Sequence, residues 1–143
     1  MTYTAVVLSD ESHTELVRLV RNRVGSISTH WEVIAHHMTV NMGRHAKGPA
    51  TDFELGTAIP MLVETIAVDH ARGVVAVGVS CPCPTLNDIP HITVVIDREA
   101  GAKPFHSNLI PIERWVPFHD PSPHLGDDDS YPILLGGILM ECT

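Results

Sequence analysis

Two copies of the pattern His-x-Thr lie in apolar stretches of this sequence, His37 and Thr39 in "HHMTV" and His91 and Thr93 in "PHITVV". Both stretches are rich in residues that favour strands. Because residues i and i+2 of a strand point to the same face, each histidine shares a face with its threonine. The repeat therefore predicts two imidazole–hydroxyl pairs, each displayed on one side of a strand.

Two such pairs facing one cleft would suit chemistry at phosphorus. Imidazole titrates near pH ~6.5, so one histidine can accept a proton while the other donates one, with a rate maximum between about pH 5 and pH 8. Threonine hydroxyls can hydrogen-bond the non-bridging oxygens of a phosphate without adding charge. In-line displacement at phosphorus needs these groups and no metal. A single His-x-Thr is more typical of a packed, hydrogen-bonded histidine, so the repetition in matching strands is what favours catalysis.

The spacing also distinguishes between the adjacent histidines of the first copy. Only His37 has a threonine two residues later, because Met38 holds that position for His36. We therefore expect His36 in the core or in contact with a neighbouring polar group. His91 follows His37 by 54 residues, which leaves ample chain for the two strands predicted between them and allows the second motif strand to lie beside the first.

The two copies resemble the paired H-x-T/S signatures of the two-histidine (2H) phosphoesterases, the LigT-like superfamily. The segment "IPHITVVIDREAGAKPFHSNLI" is especially similar to the cyclic phosphodiesterase domain of fungal tRNA ligases. In that domain a P-H-I-T strand is followed by K-P and then by S-N before a short helix. The resemblance covers most of the chain, is most specific from Pro90 to Leu109, and includes the closing apolar segment with "LGG".

The resemblance implies an α+β fold with two lobes, in which two antiparallel sheets surround a central cleft and few helices flank them. It implies that residues 1–143 form a single domain. The cleft would open 2′,3′-cyclic phosphates on nucleotides or RNA ends without a metal or cofactor. By the same match, the catalytic set is His37, Thr39, His91 and Thr93.

Substrate-binding candidates lie in the loops that follow each motif. The "KP…SN" similarity places Lys103 and Ser107 close to the second motif. Arg44 follows the first motif closely enough to neutralise a substrate phosphate. Trp31 and Trp115 are interpreted as core or lobe-interface residues, one of which could flank the cleft.

Two other interpretations remain open from the residues. A non-catalytic module of the same fold could use the cleft to hold a nucleotide or another phosphorylated ligand. A metal-dependent hydrolase could use the loop histidines His106, His119 and His124, and it would be sensitive to chelators. The acidic run "GDDDS" has consecutive rather than alternating carboxylates, which indicates a solvated turn rather than a calcium loop.

Composition limits the classes of partner. A chain of 143 residues with 44% hydrophobic content is sufficient for one core. The net charge of −8, from 17 acidic and 9 basic residues, argues against an extended nucleic-acid surface but permits a short anionic ligand.

Cysteine usage and hydropathy bear on the compartment. The chain contains 3 cysteines, too few for a fully paired disulfide framework, and Cys81 and Cys83 are interpreted as free thiols at the end of a strand. No apolar run reaches membrane-spanning length, and the first residues lack the pattern of a signal peptide. We therefore expect a soluble, cytoplasmic protein.

The pattern of apolar and turn-forming residues predicts the elements that carry the motifs. A helix is expected from Ser9 or Asp10 to a stop at Gly25, and a short helical turn near Ser107. Strands are expected in the following segments: "YTAVVLS", residues 31–40, 61–68, 74–80 and 92–96, "IERWVPF" and "PILLGGILMEC". The segment "HDPSPHLGDDDSY" is expected to be a polar loop.

Overall fold

Runs of valine, isoleucine and threonine become strands in this protein, and glycine, proline and aspartate separate them. The computed structural model describes residues 2–25, 30–119 and 133–143. The elements are β1 (Tyr3–Leu8), α1 (Asp10–Arg23), β2 (Glu32–Val33), β3 (His37–Asn41), β4 (Ala58–Asp69), β5 (Val74–Ser80), β6 (His91–Ile96), β7 (Val116–Pro117) and β8 (Ile133–Cys142). Short 3-10 turns occupy His45–Lys47, Arg98–Ala100, Pro104–Leu109 and Ile112–Arg114.

Six of these strands form a closed antiparallel barrel. The order around it is β6, β3, β1, β8, β4 and β5, and pairing of β5 with β6 closes the ring. β2 pairs with β6, and β7 pairs with β4. The helix-poor α+β class is confirmed, but one continuous sheet replaces the two expected sheets. The β5–β6 register, from Val74 opposite Ile96 to Gly78 opposite His91, joins the two halves of the chain.

The barrel interior and its outer face carry different residues from the same strands. Met38 lies opposite Ile92 and Val6, and all three are fully buried in the interior core. The alternating residues of β3 and β6 therefore point outward. A second buried cluster covers the outer face, where Ile110 and Ala102 pack against β5 and β6. The motif histidines thus lie outside the barrel, under the segment that follows β6.

Helix α1 begins as the sequence predicts. The Ser9 side chain accepts a hydrogen bond from the Ser12 backbone N–H at 3.2 Å, which satisfies a donor at the helix start. Leu16 and Val20 are fully buried. The last helical residue is Arg23, slightly before the expected stop at Gly25.

The strand predicted over residues 31–40 is interrupted in the structure. Ala35, between β2 and β3, has a φ of +38°, in the left-handed region that residues with a Cβ rarely adopt. Its carbonyl accepts a hydrogen bond from the His13 Nδ1 at 2.9 Å, and its N–H donates to the Thr93 carbonyl at 2.9 Å. Contacts from α1 and β6 therefore hold the interruption in place.

The interruption changes the register of the first motif against β6. Val33 lies opposite Val95 and Met38 opposite Ile92. The segment from β2 to β3 therefore advances by five residues while β6 advances by three. An uninterrupted continuation of the β2 register would set His37 opposite His91. The two additional residues shift β3 so that the two motifs lie directly opposite each other, and the two histidines then lie diagonally across the strand pair.

Other expectations are confirmed or corrected at single segments. A helical turn near Ser107 is confirmed as the 3-10 turn Pro104–Leu109. The strand expected over "IERWVPF" is mostly wrong, because a 3-10 turn at Ile112–Arg114 leaves only Val116–Pro117 in β7. Most of the polar loop expected before β8 lies outside the described residues. None of the helices in the described ranges is long and apolar enough to cross a membrane.

We predict that replacing Ala35 with glycine has little effect on the stability of the fold, whereas replacing it with valine destabilises the fold. Ala35→Gly relieves a left-handed conformation that costs about 1–2 kcal/mol, and this offsets the lost methyl group and the greater freedom of glycine in the unfolded chain. The free energy of unfolding should change by less than about 1 kcal/mol. Ala35→Val should lower it by at least about 2 kcal/mol, because a β-branched side chain is unfavourable there and the site is fully buried.

Urea denaturation measures these differences. Ala67→Gly is the matched control, because Ala67 is also fully buried but lies within the regular strand β4. That variant should lose more stability than Ala35→Gly. Equal losses at the two sites would show that the conformation of Ala35 carries no strain.

Candidate active site

The two His-x-Thr motifs lie side by side on adjacent antiparallel strands. Met38 and Ile92, the central residues of the two motifs, lie opposite each other. Extending this register by one residue in each direction sets Thr39 beside His91 and His37 beside Thr93. The two copies are therefore related by a local two-fold axis through the central pair, and all four polar side chains lie on the outer face.

All four motif residues line one cavity of about 450 Å³. Its wall combines the two motifs with β1, with the loop between β5 and β6, and with the 3-10 turn after β6. The lining residues are Tyr3, Ile34, His37, Thr39, Val40, Asn41, Met42, Leu86, Asn87, His91, Thr93, Pro104, Phe105, Ser107 and Asn108. The structure therefore brings His37 and His91 to a single cleft, as the repeat predicts.

His91 is held in a defined orientation. Its side chain is buried, and Nδ1 donates a hydrogen bond to the Ile89 carbonyl at 2.7 Å. Because a carbonyl can only accept, the proton of the neutral ring lies on Nδ1, and Nε2 is left with a lone pair. Nε2 lies 3.0 Å from the Ser107 Oγ. The ring of Trp115 packs against that of His91 at 5.7 Å between centroids, but Trp115 does not line the cavity and packs against the second apolar cluster.

Three oxygens form a small network beside His91. The Ser107 Oγ lies 2.8 Å from the Thr93 Oγ1, and both hydroxyls lie within hydrogen-bond distance of the Pro104 carbonyl, at 2.9 Å and 3.2 Å. When His91 is neutral, Ser107 can donate to Nε2 while Thr93 donates to the carbonyl. When His91 is cationic, Nε2 donates to Ser107, whose proton turns to the carbonyl. The network therefore accommodates both protonation states of His91 through rotation of its hydroxyl groups.

His37 has a different environment. Its Nδ1 lies 2.9 Å from the Nδ1 of His36, and the Tyr3 ring packs at 5.2 Å between centroids. Two nitrogens at this distance share one proton, so both rings cannot be cationic while the contact is kept. His36 itself is exposed. Of its two expected placements, the polar contact is confirmed and the core is wrong.

The pKa values of both motif histidines are lowered. The pKa of His37 is lowered to about 4, mainly by burial and in addition by the neighbouring imidazoles of His36 and His91. Burial also lowers the pKa of His91, but the hydrogen bond to Ile89 and the contact with Asn108 oppose that effect. His37 is therefore the histidine that resists protonation, whereas His91 has partners that stabilise its cation.

Of the three substrate-binding candidates, one lies in the cavity wall and two lie outside it. Ser107 is buried in the cavity wall beside Thr93. Arg44 and Lys103 are exposed, and neither lines the cavity. Lys103 directly precedes the 3-10 turn that contains Ser107, and its backbone N–H donates to the His106 Nδ1 at 3.1 Å.

The metal-binding alternative finds little support in the geometry of the loop histidines. His106 is held by the Lys103 backbone, His119 lies next to the Phe118 ring, and His124 is in a part of the chain that the structure does not describe. Among residues 2–25, 30–119 and 133–143, the one group of three potential ligands is His30, Asp97 and Glu99, which lies on the surface. That group shares no residue with the cavity.

The cysteines are free, as the sequence predicts. Cys81 is half-buried and Cys83 is buried, directly after β5. Burial raises the pKa of both thiols, to about 11 for Cys83, where the neighbouring Cys81 also contributes. Neither thiol lines the cavity. They act as small apolar groups under the loop that forms one of its walls.

Several lining residues were not anticipated from the sequence. The Leu86 N–H donates to the Val40 carbonyl at 2.9 Å, which folds the proline-rich loop along β3 and brings Asn87 to the cavity. Tyr3 arrives through the pairing of β1 with β3. Asn108 had a visible signal, because it completes the "SN" pair next to Ser107.

Comparisons with known proteins give no independent assignment. A scan against protein-family models, a search of curated proteins and a search of solved structures found no match to this chain.

We predict that His37 titrates near pH 4 and that His36 contributes to this low value. His36→Ala removes a neighbouring imidazole, so the pKa of His37 should rise while remaining below the ordinary value of about 6.5 because the ring stays buried. Two-dimensional NMR of the imidazole nitrogens across a pH series measures the change.

His106→Ala is the matched control, because His106 does not line the cavity. It should leave the titration of His37 unaltered. A pKa of His37 near 6.5, or one that does not respond to His36→Ala, would contradict the contact between the two rings.

Proposed function

We propose that this chain is a metal-independent 2′,3′-cyclic phosphodiesterase of the 2H phosphoesterase kind. The observation that supports it is the antiparallel placement of the two His-x-Thr motifs around one cavity. The local two-fold relation between the motifs supplies one imidazole–hydroxyl pair from each of two strands, as the paired signatures of that superfamily do. One imidazole and one hydroxyl from each motif would then face opposite sides of a single phosphate.

The chemistry is the addition of water to a cyclic phosphodiester. A bond forms between the water oxygen and phosphorus, and the bond from phosphorus to one ribose oxygen breaks. One histidine takes the proton of the water, and the other gives a proton to the departing oxygen. Exchange of one proton with solvent at each imidazole restores the starting state. The product is a nucleoside phosphomonoester.

We assign the general base to His37 and the general acid to His91. The base must be neutral before reaction, and the low pKa of His37 keeps it so. The acid must hold a proton, and the Ile89 carbonyl stabilises the His91 cation through Nδ1. Nε2 of His91 then faces the cleft as the donor.

Neutral hydroxyls would bind the phosphate oxygens. Thr39 and Thr93 supply one hydroxyl each, and Ser107 adds a third beside His91. These donors stabilise the additional negative charge that develops at phosphorus in the five-coordinate state. Ser107 also occupies the position in front of Nε2, so a bound substrate oxygen would replace it as the partner of His91.

We expect turnover of 2′,3′-cyclic nucleotides in the presence of a chelator. The acid, the base and the phosphate donors are all side chains, so removal of divalent metals should leave the rate unchanged. Product formation can be followed by chromatography. Binding without turnover would indicate the non-catalytic module instead. Loss of activity in chelator with recovery in zinc or manganese would indicate the metal-dependent hydrolase.

Single substitutions should separate the roles of the motif residues. His37→Ala and His91→Ala each remove a proton-transfer group and should lower kcat by about 10²–10⁴-fold. Thr39→Ala and Thr93→Ala remove one neutral donor each and should lower kcat by about 10–10³-fold. The two histidine losses should not add, because both groups act in one transition state.

His36→Ala is the internal control for the first motif. It should keep most of the turnover, because His36 is exposed and does not line the cavity. Circular dichroism confirms that each variant is folded. If His36→Ala were inactive and His37→Ala active, the assignment of the base would be wrong by one residue.

We expect a bell-shaped pH dependence of kcat/KM that is shifted to acid. Activity should fall below about pH 4, where His37 becomes protonated, and should fall again above the pKa of His91, which lies below 6.5. The maximum should therefore lie between these limits. The two limbs report macroscopic values of the coupled pair. A rate that rises steadily to alkaline pH would favour an activated hydroxide and contradict the histidine pair.

A further inference from the structure

Among the described residues, the wall of the cavity that holds the two imidazoles contains no other ionisable group except a tyrosine. Its described lining is otherwise aliphatic, aromatic, amide or hydroxyl. All 9 lysines and arginines of the chain lie in the described ranges, and none of them lines the cavity. A bound anion would therefore meet only histidines and neutral donors.

Several basic residues pair with other groups of the protein, and others are exposed outside the cavity. Arg72 pairs with Asp69 at 2.7 Å, Arg98 pairs with Glu32, and Arg23 donates to the Phe118 carbonyl at 2.9 Å. Lys103 and Arg44 are exposed outside the cavity. Proteins that bind several phosphates of a nucleic acid typically use lysine and arginine for much of this contact. With a net charge of −8, this surface repels a polyanion instead.

The rim of the cavity is apolar and exposed. Met42, Leu86 and Phe105 are 67%, 70% and 55% exposed, and all three line the cavity. Large hydrophobic side chains gathered at the mouth of a cleft are typical of a ligand-binding surface. Phe105 offers an aromatic face, on which a nucleobase can stack without regard to its sequence.

Amide side chains complete the wall. Asn41, Asn87 and Asn108 line the cavity and carry both donors and acceptors without charge. Such groups can pair with the edge of a base or with ribose hydroxyls. The volume of about 450 Å³ lies in the lower part of the range for small-molecule sites, ~300–1,000 Å³. One nucleotide fits this combination of size, rim and polarity.

We propose that the substrate is a mononucleoside 2′,3′-cyclic phosphate rather than a cyclic phosphate at the end of an RNA chain. This inference rests on the proposed function of the same cavity. The single diester charge is met by the histidine pair and the hydroxyls, and the base lies against the apolar rim. Each upstream phosphate of an RNA would add a negative charge outside the cavity, where the net charge of −8 opposes it.

The experiment compares kcat/KM for a mononucleoside cyclic phosphate with that for an oligoribonucleotide ending in the same nucleotide. We expect the mononucleotide to be preferred by about tenfold or more, because the oligonucleotide meets a repulsive surface. We also expect kcat/KM of the oligonucleotide to hold or rise as salt is added. Binding through cationic contacts would instead make it fall, with a logarithmic slope of about −0.7 for each phosphate contacted.

A matched pair of variants tests the rim. Phe105→Ala should lower kcat/KM for the mononucleotide by about tenfold, the scale of a lost stacking contact. It should have little effect on a small cyclic phosphodiester that carries no base. Ile112→Ala is the control, because Ile112 is also a large exposed apolar residue, 75% exposed, but does not line the cavity.

The outcomes separate this inference from the proposed function. Preference for the oligonucleotide, or a rate on it that falls steeply with salt, would overturn the mononucleotide assignment while leaving the phosphodiesterase intact. Equal effects of Phe105→Ala on substrates with and without a base would also overturn it. Absence of turnover on every cyclic phosphate would overturn the proposed function itself.

Discussion

The pairing of Met38 with Ile92 is the contact on which both the core and the candidate site depend. Their side chains fill the barrel interior, and the residues on either side of them are the four polar residues of the two motifs. Apolar burial inside the barrel therefore fixes the relative position of the imidazoles outside it. Small displacements in a packed core cost free energy. Because β3 and β6 also carry the motif residues, this packing restrains the positions of the two imidazoles.

The candidate site, unlike the packed barrel beneath it, contains an interaction that disfavours the folded state. Two imidazoles are packed close together in a weakly polar wall, where burial disfavours a cation on either ring. His91 donates a hydrogen bond to the Ile89 carbonyl and contacts the Ser107 hydroxyl, and the His37 ring nitrogen contacts that of His36. Such an arrangement would be unfavourable in an ordinary surface patch. The closed sheet next to the site stabilises the chain enough to accommodate this local cost.

The sequence was sufficient for features that depend on local periodicity. The two-residue repeat of a strand predicts which histidine shares a face with Thr39, and the capping pattern places the start of α1. Other features depend on contacts between distant segments. An alanine with positive φ has no signature in composition, so the break at Ala35 is not visible until α1 and β6 pack on it. The closure of the sheet by β5 and β6, and the arrival of Tyr3 and Asn87, depend equally on the assembled barrel.

The closed ring also has a consequence for the order in which the chain gains structure. β1 pairs with β8, so that Tyr3 lies opposite Cys142, and the ring requires contact between the two ends of the sequence. The β4–β5 hairpin, by contrast, closes over a few residues between Asp69 and Val74. Loop-closure entropy favours such local pairs early and distant ones late, and barrels with many distant pairs fold in milliseconds to seconds. During synthesis, the complete ring can form only after the last strand has left the ribosome.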